Sequence, residues 1–151
     1  MHQYIRQLLF LSGILLISCT KNNHKMIKEN NPVVYFEIPV TDLERAQKFY
    51  SHVFGFRFEK EIIDDYEMLL FPFEETGSGI SGALAKGDVY QPTRKGVILY
   101  FRTQDIDLTL EKVLEKGGKI LYPKTVNRKH SFAVAEFEDS EGNRIALHQT
   151  L

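Results

Sequence analysis

The sequence predicts an α+β fold of two tandem βαβββ modules that face each other across a shared concavity. Three observations carry this. The stretch Val33 to Phe56 reads as an alternating strand, a capped amphipathic helix and a glycine stop. The same pattern returns 63 positions later in Val97 to Lys119, where Asp42 falls on Asp105 and Gly55 on Gly118; further on Gly79 falls on Gly142, and Ala83–Leu84 on Ala146–Leu147. Each helix is then followed by three runs of strand composition bounded by turn residues.

The first strand spans Val33 to Val40. Val34, Phe36, Ile38 and Val40 form an apolar face that needs a helix to cover it, while Val33, Tyr35, Glu37 and Pro39 mix aromatic with acid, as a wetted wall would. Thr41-x-x-Glu44 has the capping-box pattern, with Thr41 as the cap. Leu43, Ala46, Phe49, Tyr50 and Val53 make one helical stripe, and Gly55 ends the helix. Strands are expected near Arg57–Ile63, Glu67–Phe73 and Ile80–Lys86, with a loop at Glu74–Gly79. Gly87 to Gly96 is a Pro/Gly-bearing connector. The second module has a strand at Val97–Thr103 and a helix over Asp105–Lys116 with a stripe of Ile106, Leu110, Val113 and Leu114. Strands near Lys119–Val126, Ser131–Phe137 and Arg144–Gln149 complete it, the last two joined by a turn at Asp139–Asn143. The aromatic set Phe49, Tyr50, Phe54, Phe56 and Phe58 reads as core, and Phe71 and Phe73 as an apolar cavity wall.

Of 151 residues, 26% are charged, with net charge −1 and no basic block, which argues against a nucleic-acid partner. The lone cysteine, Cys19, excludes an internal disulfide and a multi-cysteine zinc site. Arg6 precedes an apolar run from Leu8 to Ile17, shorter than the roughly 20 residues that cross a bilayer. Leu16-Ile17-Ser18-Cys19 resembles a bacterial lipobox. It implies a signal peptide over residues 1–18, lipidation of Cys19, a polar tether over 19–31 and a lipid-anchored protein of the cell envelope. Translation from Met26 would instead give a cytoplasmic protein. The folded domain is expected over 32–151, with modules at about 33–86 and 97–149.

The order of elements, with the phrases FEIPVTDLERAQKFY, GALAKG and FEDSEGNRIALH, resembles the vicinal oxygen chelate superfamily of glyoxalase I, extradiol dioxygenases and bleomycin-resistance proteins, and most of all its branch related to lactoylglutathione lyase. The resemblance implies a curved eight-stranded sheet with a central cleft, and members often dimerise. Metal-dependent members hold an ion at four positions, which by the pattern and the repeat are Tyr35, Ala83, Ile98 and Ala146 here. Isoleucine and alanine cannot coordinate a metal, so no cofactor is expected at those positions. A divalent ion held by Glu37 and His148 is the remaining alternative.

Side chains two apart on a strand share a face. Glu37 therefore accompanies Tyr35, His148 and Arg144 accompany Ala146, and Tyr100 and Arg102 accompany Ile98. The expected cleft joins Glu37 and His148 as acid and base, with Tyr35, Tyr100, Arg102, Arg144, Ala83, Ile98 and Ala146 contacting a small polar organic ligand. An imidazole exchanges protons near neutrality, a carboxylate can fix its tautomer, and a guanidinium fork suits an anion. Such a set fits a metal-free lyase or isomerase. A non-catalytic sequestering protein and a partner-binding lipoprotein are the alternatives.

Overall fold

The computed structural model describes residues 32–73 and 79–151; the leader, the tether and Cys19 lie outside the described residues. The element order is β1 (Tyr35–Pro39), α1 (Leu43–Phe54), β2 (Glu59–Ile63), β3 (Tyr66–Leu70), β4 (Ser81–Ala85), β5 (Leu99–Arg102), α2 (Ile106–Glu115), β6 (Lys119–Asn127), β7 (Phe132–Glu138) and β8 (Arg144–Thr150). This is βαβββ twice. The eight strands hydrogen-bond as two four-stranded sheets, β1-β4-β3-β2 and β5-β8-β7-β6. In each, the opening strand lies parallel to the closing strand and the remaining pairs are antiparallel.

Asp42, not Thr41, caps α1: its carboxylate accepts from the Arg45 N–H at 3.0 Å. Asp105 does the same for α2 by accepting from the Leu108 N–H, so the two caps keep the 63-residue register. The stops do not. Gly55 is left-handed after α1, but after α2 the left-handed residue is Gly117 (φ 81°), while Gly118 packs against Val113 and the Glu138 carbonyl.

One core lies between the helices and the sheets, with Ile38, Ala46, Phe49, Tyr50, Val53 and Leu84 from the first module and Ile106, Val113, Ala135, Phe137 and Leu147 from the second. Val34, Leu114 and Val97, which alternation or helical spacing assigns to covered faces, are exposed. Val34 precedes β1, and Leu114 is displaced from the α2 stripe by Thr109, whose hydroxyl bonds the Asp105 carbonyl at 2.7 Å and can therefore be buried.

The turn at Asp139–Asn143 does more than close a hairpin. Asp139 accepts from the buried Tyr50 hydroxyl at 2.7 Å and from Asn143, and Asn143 donates to the Pro39 carbonyl at 2.8 Å. Glu141 accepts from the backbone N–H groups of Thr41 and Asp42 and, in a two-pronged contact, from Arg45. Its side chain is 0% exposed. Burial alone would raise its pKa, but the hydrogen bonds from Arg45, Thr41 and the two backbone amides outweigh burial and hold it at about 2. The second module thereby supplies the anion at the N-terminus of the first module's helix.

Candidate functional site

Among the described residues β1 and β5 each pair with one strand and stand at the edge of their sheets. Between these edges the chain packs side chains instead of hydrogen bonds. The Phe36 and Phe101 rings lie 6.2 Å apart edge-to-face, and Phe71 sits 5.3 Å from Phe36 and 5.8 Å from Phe101. Phe56 joins them at 5.5 Å from Phe71. Phe36 fits because its β4 neighbour is Gly82, where a Cβ would stand 2.5 Å from the ring.

These four rings wall a cavity of about 460 Å³, with Pro72, Gly79, Ile80, Leu99, Tyr100 and Arg102 completing the lining. Such a volume is typical of a small-molecule site, and its walls combine apolar rings with one guanidinium and one phenol. At the other end of the seam a second pocket of about 210 Å³ is lined by Glu37, Pro39, Arg94, Lys95, Asn143 and Arg144 among others. Leu99 touches both cavities.

The expected site residues therefore divide. Tyr100 and Arg102 line the aromatic cavity; Glu37 and Arg144 line the smaller pocket. Tyr35 and His148 line neither. Glu37 and His148 are not joined: Glu37 accepts from the Tyr90 hydroxyl at 2.9 Å, whereas His148 stacks on Phe132 at 5.3 Å. The connector brings Tyr90 to Glu37 on β1, while His148 on β8 lies beside β7, which carries Phe132. Ala83 and Ala146 are both 0% exposed and present no surface to a ligand, since the space beside Ala83 is taken by Met68, Leu70 and Tyr90. Ile98 is half-buried just ahead of β5. Phe71 is a cavity wall as expected, but Phe73 is exposed and does not line the cavity.

The electrostatics of this face follow from its partners. Burial, then the bond to Glu37 and its charge, push the Tyr90 hydroxyl up to about 12. Partial burial and the Glu37 charge raise Tyr35 as well, and its hydroxyl faces the Met68 sulfur at 3.9 Å. Arg144 is held by Glu136 at 2.6 Å. For a metal the donor set does not fit, since one phenol and three aliphatic side chains stand at Tyr35, Ala83, Ile98 and Ala146. Among the described residues no three or more His, Cys, Asp or Glu side chains are grouped to hold an ion.

Sequence reasoning missed Leu99, Phe101, Ile80 and Phe36 as cavity lining, because they belong to the helix-facing register that alternation assigns to core. The usable signal was Gly82 in a strand otherwise fit for larger residues, which marks a close ring approach.

Comparison with known proteins agrees with this architecture. A glyoxylase-like domain-containing protein from Didymella fabae is 33% identical over 114 residues, covering 74% of this chain and 88% of the relative. A glyoxalase/bleomycin resistance protein from Streptomyces sp. CB03234 superposes with a TM-score of 0.59 at 25% identity, covering 77% of this chain and 98% of its own. TnmS3, an antibiotic-binding protein from the same organism, superposes with a TM-score of 0.59 at 24% identity over 82% of this chain and 98% of its own. The profile of the Glyoxalase/Bleomycin resistance protein/Dioxygenase superfamily matches residues 33–147, and the chain belongs to that superfamily.

Proposed function

We propose that this protein binds a small organic anion bearing a flat ring system, and that it holds the molecule without transforming it. One observation carries the reading: the seam between β1 and β5 opens into a cavity walled by Phe36, Phe56, Phe71 and Phe101 with Arg102 in its lining. Aromatic walls favour offset or edge contacts with a flat ligand. A guanidinium takes a carboxylate or phosphate in a planar, two-point contact. At about 30 Å³ per displaced water the cavity has room for about fifteen waters, enough for a fused two-ring acid. A binding role on this fold has a precedent in TnmS3, an antibiotic-binding protein.

The lyase or isomerase reading needs an acid and a base at one substrate. Glu37 and His148 each have a different partner, and neither lines the aromatic cavity, which favours binding over turnover. Lipidation at Cys19 stays part of the proposal. It would place the binder at a cell envelope, and an acylated peptide beginning at Cys19 in the membrane fraction tests it. The binding reading is tested with 2-naphthoate, followed by its own fluorescence, beside neutral 2-naphthamide. The expected result is tighter binding of the anion and at least a tenfold loss of that preference in Arg102→Leu. Equal affinity for both molecules, or none for either, would refute the reading.

A further inference from the structure

We propose that the smaller pocket, at the opposite end of the seam from the aromatic cavity, binds a small zwitterion with an ammonium and a carboxylate a few bonds apart. The proposal is independent of the aromatic cavity, because it rests on how charge is laid out around the second pocket.

The lining brings together Glu37 on β1, Arg94 and Lys95 of the connector and Arg144 at the start of β8. These charges do not cancel one another. Glu37 accepts a neutral hydroxyl from Tyr90 and has no cationic partner among the described residues. Arg144 is paired with Glu136 at 2.6 Å. Glu138 is shared between Arg94 at 3.3 Å and Lys119 at 2.7 Å, so one carboxylate serves two cations. The Lys95 ammonium has no ion pair or hydrogen bond among the described residues. The lining thus holds a carboxylate without a cationic partner together with an excess of positive charge. A ligand ammonium facing Glu37, with its carboxylate facing Lys95 and Arg94, would satisfy both.

The walls between them are fixed. Asn143 is 5% exposed, donates to the Pro39 carbonyl at 2.8 Å and accepts from the Thr93 N–H at 3.0 Å. It therefore ties the end of β1 to the connector that carries Arg94 and Lys95, and the pocket is preorganised. At about 30 Å³ per water, the 210 Å³ volume holds about seven waters. That suits a molecule of amino-acid size and excludes the two-ring acid of the larger cavity.

The test uses the ¹⁵N-labelled full chain titrated with L-alanine and with its two single-charge analogues, propionate and ethylamine. L-alanine is expected to bind at least tenfold more tightly than either, with amide shifts at Thr93, Gly96 and Asn143, and to do so equally when 2-naphthoate is present. Glu37→Gln keeps an acceptor for Tyr90, so the fold is retained. It should weaken L-alanine at least tenfold and leave propionate unchanged, whereas Lys95→Ala should weaken both. The proposal is overturned if L-alanine binds no better than propionate, if its shifts fall elsewhere, or if Glu37→Gln leaves its affinity intact. Failure of 2-naphthoate to bind would bear on the aromatic cavity alone.

Discussion

His52 Nε2 and the Glu115 carboxylate meet at 2.7 Å, and the two residues stand 63 positions apart, the interval of the sequence repeat. A residue touches its own counterpart only near the axis that relates two copies. The contact therefore marks where α1 and α2 pack against each other in the register of the repeat. The β1–β5 seam keeps the same register, since Phe36 and its counterpart Leu99 line one cavity together.

The His52–Glu115 contact itself adds little stability. Its side chains are 35% and 61% exposed, and exposed pairs are worth about 0.2–1 kcal/mol. A double-mutant cycle of His52→Ala and Glu115→Ala, followed by denaturant unfolding, should give a coupling energy in that range and one that shrinks with added salt.

Glu141 should behave in the opposite way. Glu141→Gln removes the charge facing Arg45 and the α1 N-terminus and should destabilise the fold by about 1.5–3 kcal/mol, read as a lower denaturant midpoint at unchanged slope. The sign of the pH dependence follows from its depressed pKa. The ionised form is favoured by folding, so its contribution is complete above the unfolded value of 4.5 and is lost as pH falls towards about 2. Wild type should lose stability across that window more steeply than Glu141→Gln.

Gly82→Ala should couple stability to binding. The new methyl would stand 2.5 Å from the Phe36 ring, so the ring must move, at a cost of about 1–3 kcal/mol. Because Phe36 is a cavity wall, affinity for 2-naphthoate should fall in the same variant. Titration and unfolding of one preparation would check both effects.

Much of the fold was legible because it is written twice. Aspartates matched across the repeat at Asp42 and Asp105 and strands alternating on one register point to two βαβββ modules without tertiary information. Local competition set the limits. Thr41 looks like a cap, yet its hydroxyl is taken by Glu141 at 2.8 Å, 100 residues away, and no local pattern reveals that. The site was legible only as a set of strand faces. Alternation places Glu37 and His148 on inward faces, but it cannot say that the connector brings Tyr90 to the first or that Phe132 stacks on the second. Nor can it show that a cavity lies between two strand edges, among rings that a period of two assigns to core.

The most direct test is to map bound 2-naphthoate on the labelled protein. The expected result is shifts concentrated at Ile80, Leu99, Tyr100 and Arg102, with ring contacts to Phe36 and Phe101 and no chemical change in the ligand over time. Shifts centred on His148 and Phe132, or conversion of the ligand, would contradict a binding cavity at the β1–β5 seam.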